Sequence, residues 1–529
     1  MHWADVAAGK LLEGGNVHRI ASGTSISGLI HIGNAGDVIY ADGVARALHD
    51  KGADAKVIWI ADDVDPLRAV PEPLPAYFSE HLGKPVCALP DPEGCHAGFT
   101  DHFIEPFLTS LGQLGIQPTE KRGSRMYAAG EYDAAIRTAI DKAEAIREIL
   151  VRVAKSKKPP GWVPFDPICE KCGKIATTDA LGLEGDKVRY RCGGGVAGKK
   201  DMAGCGHEGL AGLREGKLTW RVEWAARWKI LGVTCEPFGK EHSAAGGSYD
   251  TSEVISRDIF GYAPPLPILY EYILVGGAKM SKSKGNVFAV SAMLEVLPPE
   301  VIRYFFFRID PNKHRDFDPA EKLLPLAEEY ERAQAIAEQR TAPSPREDAE
   351  EMSRACVLSR LDPRRITPHD LVPFGHLMTL AQVARDEHGF HEALKRAGYA
   401  APSDAEAKAR LALRERLARA FVEKYVPAAD RITLIGETAD VPLDKVEAAQ
   451  RAFLHELSGR VSPSAWSPEA LHNAVFDTAK SVGIAPKDAF RAVYLALIGR
   501  DRGPRAGYFI ASLDPTFVIR RFADVGKAK

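Results

Sequence analysis

The sequence predicts a doubly wound parallel α/β domain that is interrupted by a cysteine-rich insertion and followed by an all-helical C-terminal region. Three observations carry that reading. Near the N-terminus a strand, a glycine loop, a helix and a second strand follow one another directly, which is half of a doubly wound nucleotide fold. From about Arg68 to Leu218 this pattern breaks, and prolines, glycines, cysteines and histidines crowd together. Beyond about Pro298 strong helix formers dominate, as in "DAEAKARLALRERLARAFVEKY".

The elements follow in order. "VHRIAS" (Val17–Ser22) reads as a short strand and "GTSISGLIHIGN" as a Gly/Ser loop. A helix follows, with Ala35, Val38, Ala41, Ala45 and Leu48 at near-helical spacing and Gly52 closing it. "AKVIWIA" (Ala55–Ala61) is a continuous apolar run, as expected of a buried parallel strand. The interruption holds a helical stretch near Ala128–Val153 and is expected to have a small core of its own. The α/β character returns at Glu236–Asp250 and again before "KMSKSKGN", and "TAPSPRED" (Thr341–Asp348) reads as a connector. The expected organisation is a Rossmann-type domain in two halves (1–67 and 219–297) around an insertion (68–218). A helical connector (298–345) and an all-helical domain (346–529) complete it.

Composition narrows the class. At 529 residues the chain exceeds one compact core. Apolar content of 45% and charged content of 26% are ordinary for a soluble globular protein. No stretch is apolar and uncharged for the roughly 18 residues of a membrane span, and the N-terminus lacks a signal-peptide pattern, so a cytoplasmic protein with no membrane partner is expected. The net charge of −2 gives no overall pull toward nucleic acid. Binding RNA would require basic residues segregated on one face. Eight cysteines do not make a disulfide framework at this length; clustered in a reducing compartment, they point to metal.

Two stretches carry phosphate chemistry. "SGLIHIGN" (Ser27–Asn34) lies between a strand and a helix. A phosphate ligand there needs a tight turn, close backbone approach and helix N–H groups aimed at it. Gly28 and Gly33 supply the backbone freedom, and His31 and Asn34 supply donors. "KMSKSKGN" (Lys279–Asn286) offers Lys279, Lys282 and Lys284, movable point charges suited to a polyphosphate.

In that order, with a large insertion between them, the two stretches resemble the paired signatures of class I aminoacyl-tRNA synthetases, usually written HIGH and KMSKS. "KMSKS" is intact, and "HIGN" departs at its last position. The resemblance implies attack of an amino-acid carboxylate on the α-phosphate of Mg2+-bound ATP, with loss of pyrophosphate and later transfer to tRNA. It implies that His31 and Asn34 contact the α-phosphate region and that Gly33 lies under the adenine. Lys279 and Lys282 would stabilise the pyrophosphate, with Met280, Ser281, Ser283 and Gly28 completing the ATP site. Four further blocks narrow the family: "ASGTSISGLIHIGNAGD", "WIADDVDPLRAVP", "FGKEHSAAGGSYD" and "YEYILVGGAKMSKSKGN" together look like class I lysyl-tRNA synthetase. That resemblance implies L-lysine, ATP and tRNA(Lys) as partners, an anticodon-binding role for the helical region and a monomer. The competing readings are a class I synthetase for glutamate, cysteine or arginine, or a paralogous nucleotidyltransferase.

A lysine pocket needs a carboxylate for the ε-ammonium and an aromatic or apolar wall for the stem. Asp62, Asp63 and Asp65 end the second strand, on the edge where such folds bind ligands. Trp220, Trp224 and Tyr270 are candidate walls, and Glu223 is a second candidate acid. By resemblance, Gly23 and Ser25 line the amino-acid site. In "FGKEHSAAGGSYD", the Gly246–Gly247 pair would let backbone approach a nucleotide beside His242, and Asp250 would accept ribose hydroxyls.

Two metal sites are expected. Cys169 and Cys172 form C-x2-C, followed by Cys192 and Cys205, and His207 competes with Cys205 for the fourth position. Four thiolates in two close groups suit tetrahedral structural zinc. Asp91, Cys95, His96 and His102 form a second candidate set, with His102 in the first turn of a helix starting near Asp101. The resemblance strengthens it, because such enzymes carry zinc in this insertion, so two structural Zn2+ ions are expected. Cys87, Cys235 and Cys356 lack ligand neighbours and read as packing residues. "IGRDRGPRAGYFI" (Ile498–Ile510) sets arginines beside Tyr508 and Phe509, which suits either RNA contact or a turn leading into core aromatics.

Overall fold

The computed structural model describes every residue except 198–199, 280–287, 319–320, 362–371, 385, 401, 403 and 529. Its described residues form two compact units, Met1–Leu294 with Pro299–Asp318 and Ala333–Leu361, and Glu295–Pro298 with Pro319–Arg332 and Asp362–Lys529.

The first unit is built on a five-stranded sheet, all parallel. Its strands are β1 (Val17–Ser25), β2 (Asp54–Asp62), β3 (Thr119–Arg122), β4 (Cys235–Gly239) and β5 (Leu266–Tyr270), in the order β5-β4-β1-β2-β3. The chain winds from β1 outward to β3, then returns to the other side of β1 for β4 and β5. The switch between β1 and β4 leaves a crevice at their C-terminal ends, where ligands bind in such sheets. β1 runs three residues past the expected Ser22, because its ladder with β2 continues to the Ser25–Asp62 pair. Pairing along a buried neighbour overrides the loop preference of the Gly/Ser stretch.

The helix Ile32–Asp50 follows β1. Its Ala35, Val38, Ala41, Ala45 and Leu48 are buried as the spacing predicts, and Ile39, Val44 and Ala47 join them because the helix is covered on most sides. Gly52 follows at φ +82°, a left-handed position that reverses the chain into β2.

The insertion carries helices Gly123–Ala128, Asp133–Asp141 and Ala143–Ala154 and several short antiparallel strands. Around its cysteines it has a small core of its own, formed by Cys169, Tyr190, Cys192 and Ala211, whereas its helices pack on the framework. Ile136, Ile146, Ile149 and Leu150 share one apolar cluster with Val222, Ala225, Ile255 and Phe260 of the α/β framework. The apolar stripes of these helices are one-sided, and the framework helix Trp220–Leu231 covers them.

Past Pro298 the described residues are helical as expected, with one strand among them, Arg315–Phe317, pairing in parallel with Ile273–Val275. The second unit is helical. Phe453, Leu457, Val493, Phe509, Phe522 and Val525 anchor its main core. Asp404, Ser467 and Asp514 cap helices by accepting from Ala407, Ala470 and Phe517 N–H groups. Of the "RAGYFI" aromatics, Phe509 is a core residue, whereas Tyr508 borders a cavity of about 470 Å³ with Arg500, Arg502 and Arg505.

His376 lines the same cavity at 6% exposure, and burial pushes its imidazole down to about 4. The unfolded chain protonates near 6.5, so acidification adds a proton to the unfolded state first. His376 is therefore expected to take up to about 3 kcal/mol from the stability of this unit between pH 6.5 and 4, while Glu331, whose carboxyl burial raises to about 7, works in the opposite direction. Denaturant titrations of the full chain, followed in the helical unit, should show the His376 contribution as the difference between the parent and His376→Leu.

Candidate active site

A cavity of about 510 Å³ occupies the crevice between the C-terminal ends of β1 and β4. β1 contributes Gly23 and Ser25, and the following helix contributes His31 and Asn34. Asp62 and Asp65 reach it from the end of β2, Trp220 from the helix Trp220–Leu231, His242 from the turn after β4, and Tyr270 from β5. These residues lie up to 247 positions apart (23 to 270) and converge because all sit on the same edge of one sheet or just beyond it.

His31 is the N-cap of its helix. Its Nδ1 accepts from the Gly33 N–H at 3.1 Å, which fixes the ring proton on Nε2. The same corner is pinned to the segment after the lysine-rich stretch: Ile32 N donates to Phe288 O at 2.8 Å, and His31 bridges Ala289. On the other flank Lys279 pairs through its backbone with Leu274. The side chain of Lys279, and Met280, Ser281, Lys282 and Ser283 as a whole, lie outside the described residues.

One wall is aromatic. Trp220, Trp224 and Trp228 recur every four residues along one helix face, and the Trp220 and Trp224 rings stack at 5.2 Å and 14°. Trp224 Nε1 and Trp228 Nε1 donate to the two oxygens of Glu236 at 3.0 and 2.5 Å. Burial pushes the Glu236 carboxyl up to about 7, and the two indole donors oppose that rise.

Behind β1 lies a buried charge network. The Lys217 ammonium bridges Asp65 at 2.6 Å and Glu223 at 2.7 Å. Arg227 pairs with Asp62 and lies 3.6 Å from Glu223. Tyr132 Oη accepts from Arg227 at 3.2 Å, and Tyr127 Oη donates to Glu223 at 2.9 Å. Ser25 Oγ donates to Asp65 at 2.7 Å, so the network also orients the end of β1. A Cβ on Gly23 would lie 3.4 Å from both Asp62 Oδ2 and Arg227 Nη1, so this glycine keeps the pair open to the cavity.

Asp63, expected in the amino-acid site, does not line the cavity. It accepts from Ser124 N at 2.7 Å and Ser124 Oγ at 2.5 Å, on the opposite face of the strand end from Asp62. Gly28, Gly33, Gly246, Gly247 and Asp250 are not among the lining residues either. Asp250 accepts from the Gly246 N–H at 3.0 Å, and a Cβ on Gly246 would lie 2.7 Å from Val153 O, so this glycine turn packs against the helix that precedes the zinc-ligand candidates. Six charged residues in or beside the cavity escaped sequence reasoning: Asp37, Arg68, Lys217, Arg227, Glu236 and Glu241. Glu236 had a readable signal, a lone acid in "VTCEPFG", all of whose strand positions are buried.

Both metal-ligand sets come together. The thiols of Cys169, Cys172, Cys192 and Cys205 lie within 4.8 Å of one another, with Sγ–Sγ distances of 3.6 Å (Cys169–Cys205) and 3.8 Å (Cys172–Cys192). Four sulfurs at zinc-ligand distance around one ion stand about 3.8 Å apart, so the set fits. His207 instead meets Glu170 at 2.7 Å. Gly204 permits the closure, since a Cβ there would meet Cys192 O at 2.2 Å. Asp91, Cys95, His96 and His102 form the second set; Cys95 Sγ lies 3.0 Å from His96 Nδ1 and 3.3 Å from His102 Nδ1. The helix that bears His102 begins at Phe99. Cys235 and Cys356 are buried as expected, but Cys87 is exposed, because it follows the turn at Pro85 on the outer side of the insertion.

A doubly wound sheet with this cavity at its switch point, and a histidine-capped helix whose start is tied to the segment that follows a lysine-rich sequence, defines a nucleotide-activating enzyme of the class I synthetase type. The chain belongs to the family of tRNA synthetases class I (K), whose model matches residues 1–361. A lysine–tRNA ligase of Archaeoglobus fulgidus is 41% identical over 98% of this chain and 99% of that protein. One of Methanosarcina barkeri is 39% identical over 99% and 97%, and one of Thermoplasma acidophilum 35% identical over 99% of each.

Proposed function

We propose that this protein activates L-lysine with ATP and transfers it to the 3′ end of tRNA(Lys). The carrying observation is the single cavity that joins the His31 corner to an acid-rich, tryptophan-walled pocket. Full-length similarity to lysine–tRNA ligases supports the same reading. Arg227 lines the cavity, and its charge is offset by Asp62 beside it, with Nη1 left without a hydrogen-bond partner among the described residues.

In this reading Mg2+-bound ATP enters over the start of the helix Ile32–Asp50, where backbone N–H groups and the helix dipole favour phosphate. His31 Nε2–H and the Asn34 amide donate to the α-phosphate region as the lysine carboxylate attacks. Lys279 and Lys282 offset charge on departing pyrophosphate. No covalent enzyme intermediate is required, so the rate comes from positioning and charge stabilisation. Ser25, held by Asp65, and Gly23 shape the amino-acid side. The helical region reads the tRNA. Pyrophosphate exchange with each of the twenty amino acids, with and without tRNA, tests this: lysine alone should support exchange, and exchange with glutamate instead would overturn it.

The thiolate set and the Asp91 set would each hold a structural zinc. A closed four-ligand shell supplies folding stability and leaves no position for substrate. Elemental analysis of the purified chain is expected to give about two zinc ions per molecule. A metal-free preparation that stays folded and active would refute this.

A further inference from the structure

We propose that Glu236 is the specificity-determining acid of the pocket, receiving the side-chain ammonium of lysine at its floor; this rests on the lysine-activating reading above. The argument begins with charge. Asp62, Asp65 and Glu223 are each within 4 Å of a buried cation, Arg227 or Lys217. Arg68 also lines the cavity beside Asp65, so these acids have counter-ions of their own. Glu236, at 4% exposure, has no cationic partner among the described residues. A buried carboxylate of this kind is compensated by an ammonium that the substrate brings, and a side chain without one would leave it unpaired.

Geometry assigns the ends. Gly23 opens the Asp62–Arg227 pair toward the side of the cavity that leads, through Ser25 and Ser27, to His31. The reacting carboxylate and its neighbouring α-ammonium belong there, next to ATP. Glu236 lies further down β4, three residues before Gly239 at the strand's end, bonded to the Trp224 indole N–H. Between the two ends stand the stacked Trp220 and Trp224 rings, a wall suited to an aliphatic stem with a cation at its tip. A carboxylate has about four acceptor positions, and Glu236 uses one on each oxygen for an indole N–H. The tryptophans therefore hold the carboxylate in place while leaving lone pairs for an ammonium. Asp37, another buried acid on the cavity, is held by the Tyr270 hydroxyl, whereas Glu236 is held by the tryptophan wall that would cover the stem.

The test is lysine-dependent pyrophosphate exchange by the full chain and by Glu236→Gln and Glu236→Asp, with norleucine, the same stem without the ammonium, as competitor. Glu236→Gln should raise the lysine KM about 100-fold, the cost of leaving a buried ammonium without its anion. The KM for ATP should stay within about threefold, and the inhibition constant of norleucine should not weaken. Glu236→Asp, which keeps the charge, should recover part of the lysine affinity. An unchanged lysine KM in Glu236→Gln would overturn the assignment, as would equal losses for lysine and norleucine, which would mean that Glu236 only holds the tryptophans. Should Glu236→Gln not fold, the unaltered chain decides: it should bind lysine at least about 100-fold more tightly than norleucine, and equal binding overturns the assignment. Absence of lysine exchange by the unaltered chain would overturn the functional reading and this assignment together. Lysine exchange by that chain with an unaltered KM in the variant would overturn this assignment alone.

Discussion

Lys217→Met should cost about 3–5 kcal/mol of stability in the α/β unit. The Lys217 ammonium is 4% exposed and stands between Asp65 and Glu223, both within 2.7 Å. Methionine fills similar volume, so packing changes little; what changes is that the buried Glu223 and the half-buried Asp65 lose their cation. Each must then be protonated or drag water inward, and both routes oppose folding. Denaturant titration of the full chain measures the loss directly. The damage should reach the pocket too, because Asp65 is the acceptor that orients the Ser25 hydroxyl. Restoring neutrality with Asp65→Asn in the same chain should recover part of the stability, since replacing a buried pair is far less costly than halving it. A Lys217→Met chain as stable as the parent would show that the network is not buried in solution.

His31→Ser should slow lysyl-adenylate formation by about 10² to 10³. Serine keeps an oxygen able to accept the Gly33 N–H, so the helix start survives. It lacks the reach of an Nε2–H donor into the cavity. The loss should therefore appear in the single-turnover rate, with lysine Kd and melting temperature nearly unchanged. A rate equal to the parent's would remove His31 from the chemistry and leave it a helix cap.

The sheet and the site were legible to different degrees. β1, β2 and the helix between them could be placed because each carries its own periodicity, and only the last residues of β1 depended on a partner strand. The His31 corner was legible because loop, cap and helix are contiguous. Cys169, Cys172, Cys192 and Cys205 were legible because ligand spacing is a local property. The charge network was not. Lys217 meets Asp65 across 152 positions, and Arg227 meets Asp62 across 165. Nothing local marks either cation as a partner. The same reasoning explains Asp63: three acids share the end of β2, and only the pleat decides that Asp62 faces the cavity while Asp63 turns to Ser124. The lysine-rich stretch was read from its residue types and its order in the chain alone.

The charge network also bears on how this pocket could be changed by mutation and selection. Any one-step replacement of Asp62, Asp65, Lys217 or Arg227 strands a partner in the interior, so single-site libraries at these positions will return mostly unfolded chains. Re-targeting the enzyme to another amino acid should instead require paired exchanges that keep the interior neutral at each step. Variation is expected to be tolerated first at Trp220, which meets the cavity and among the described residues is bonded by no charge, leaving shape easier to alter than polarity.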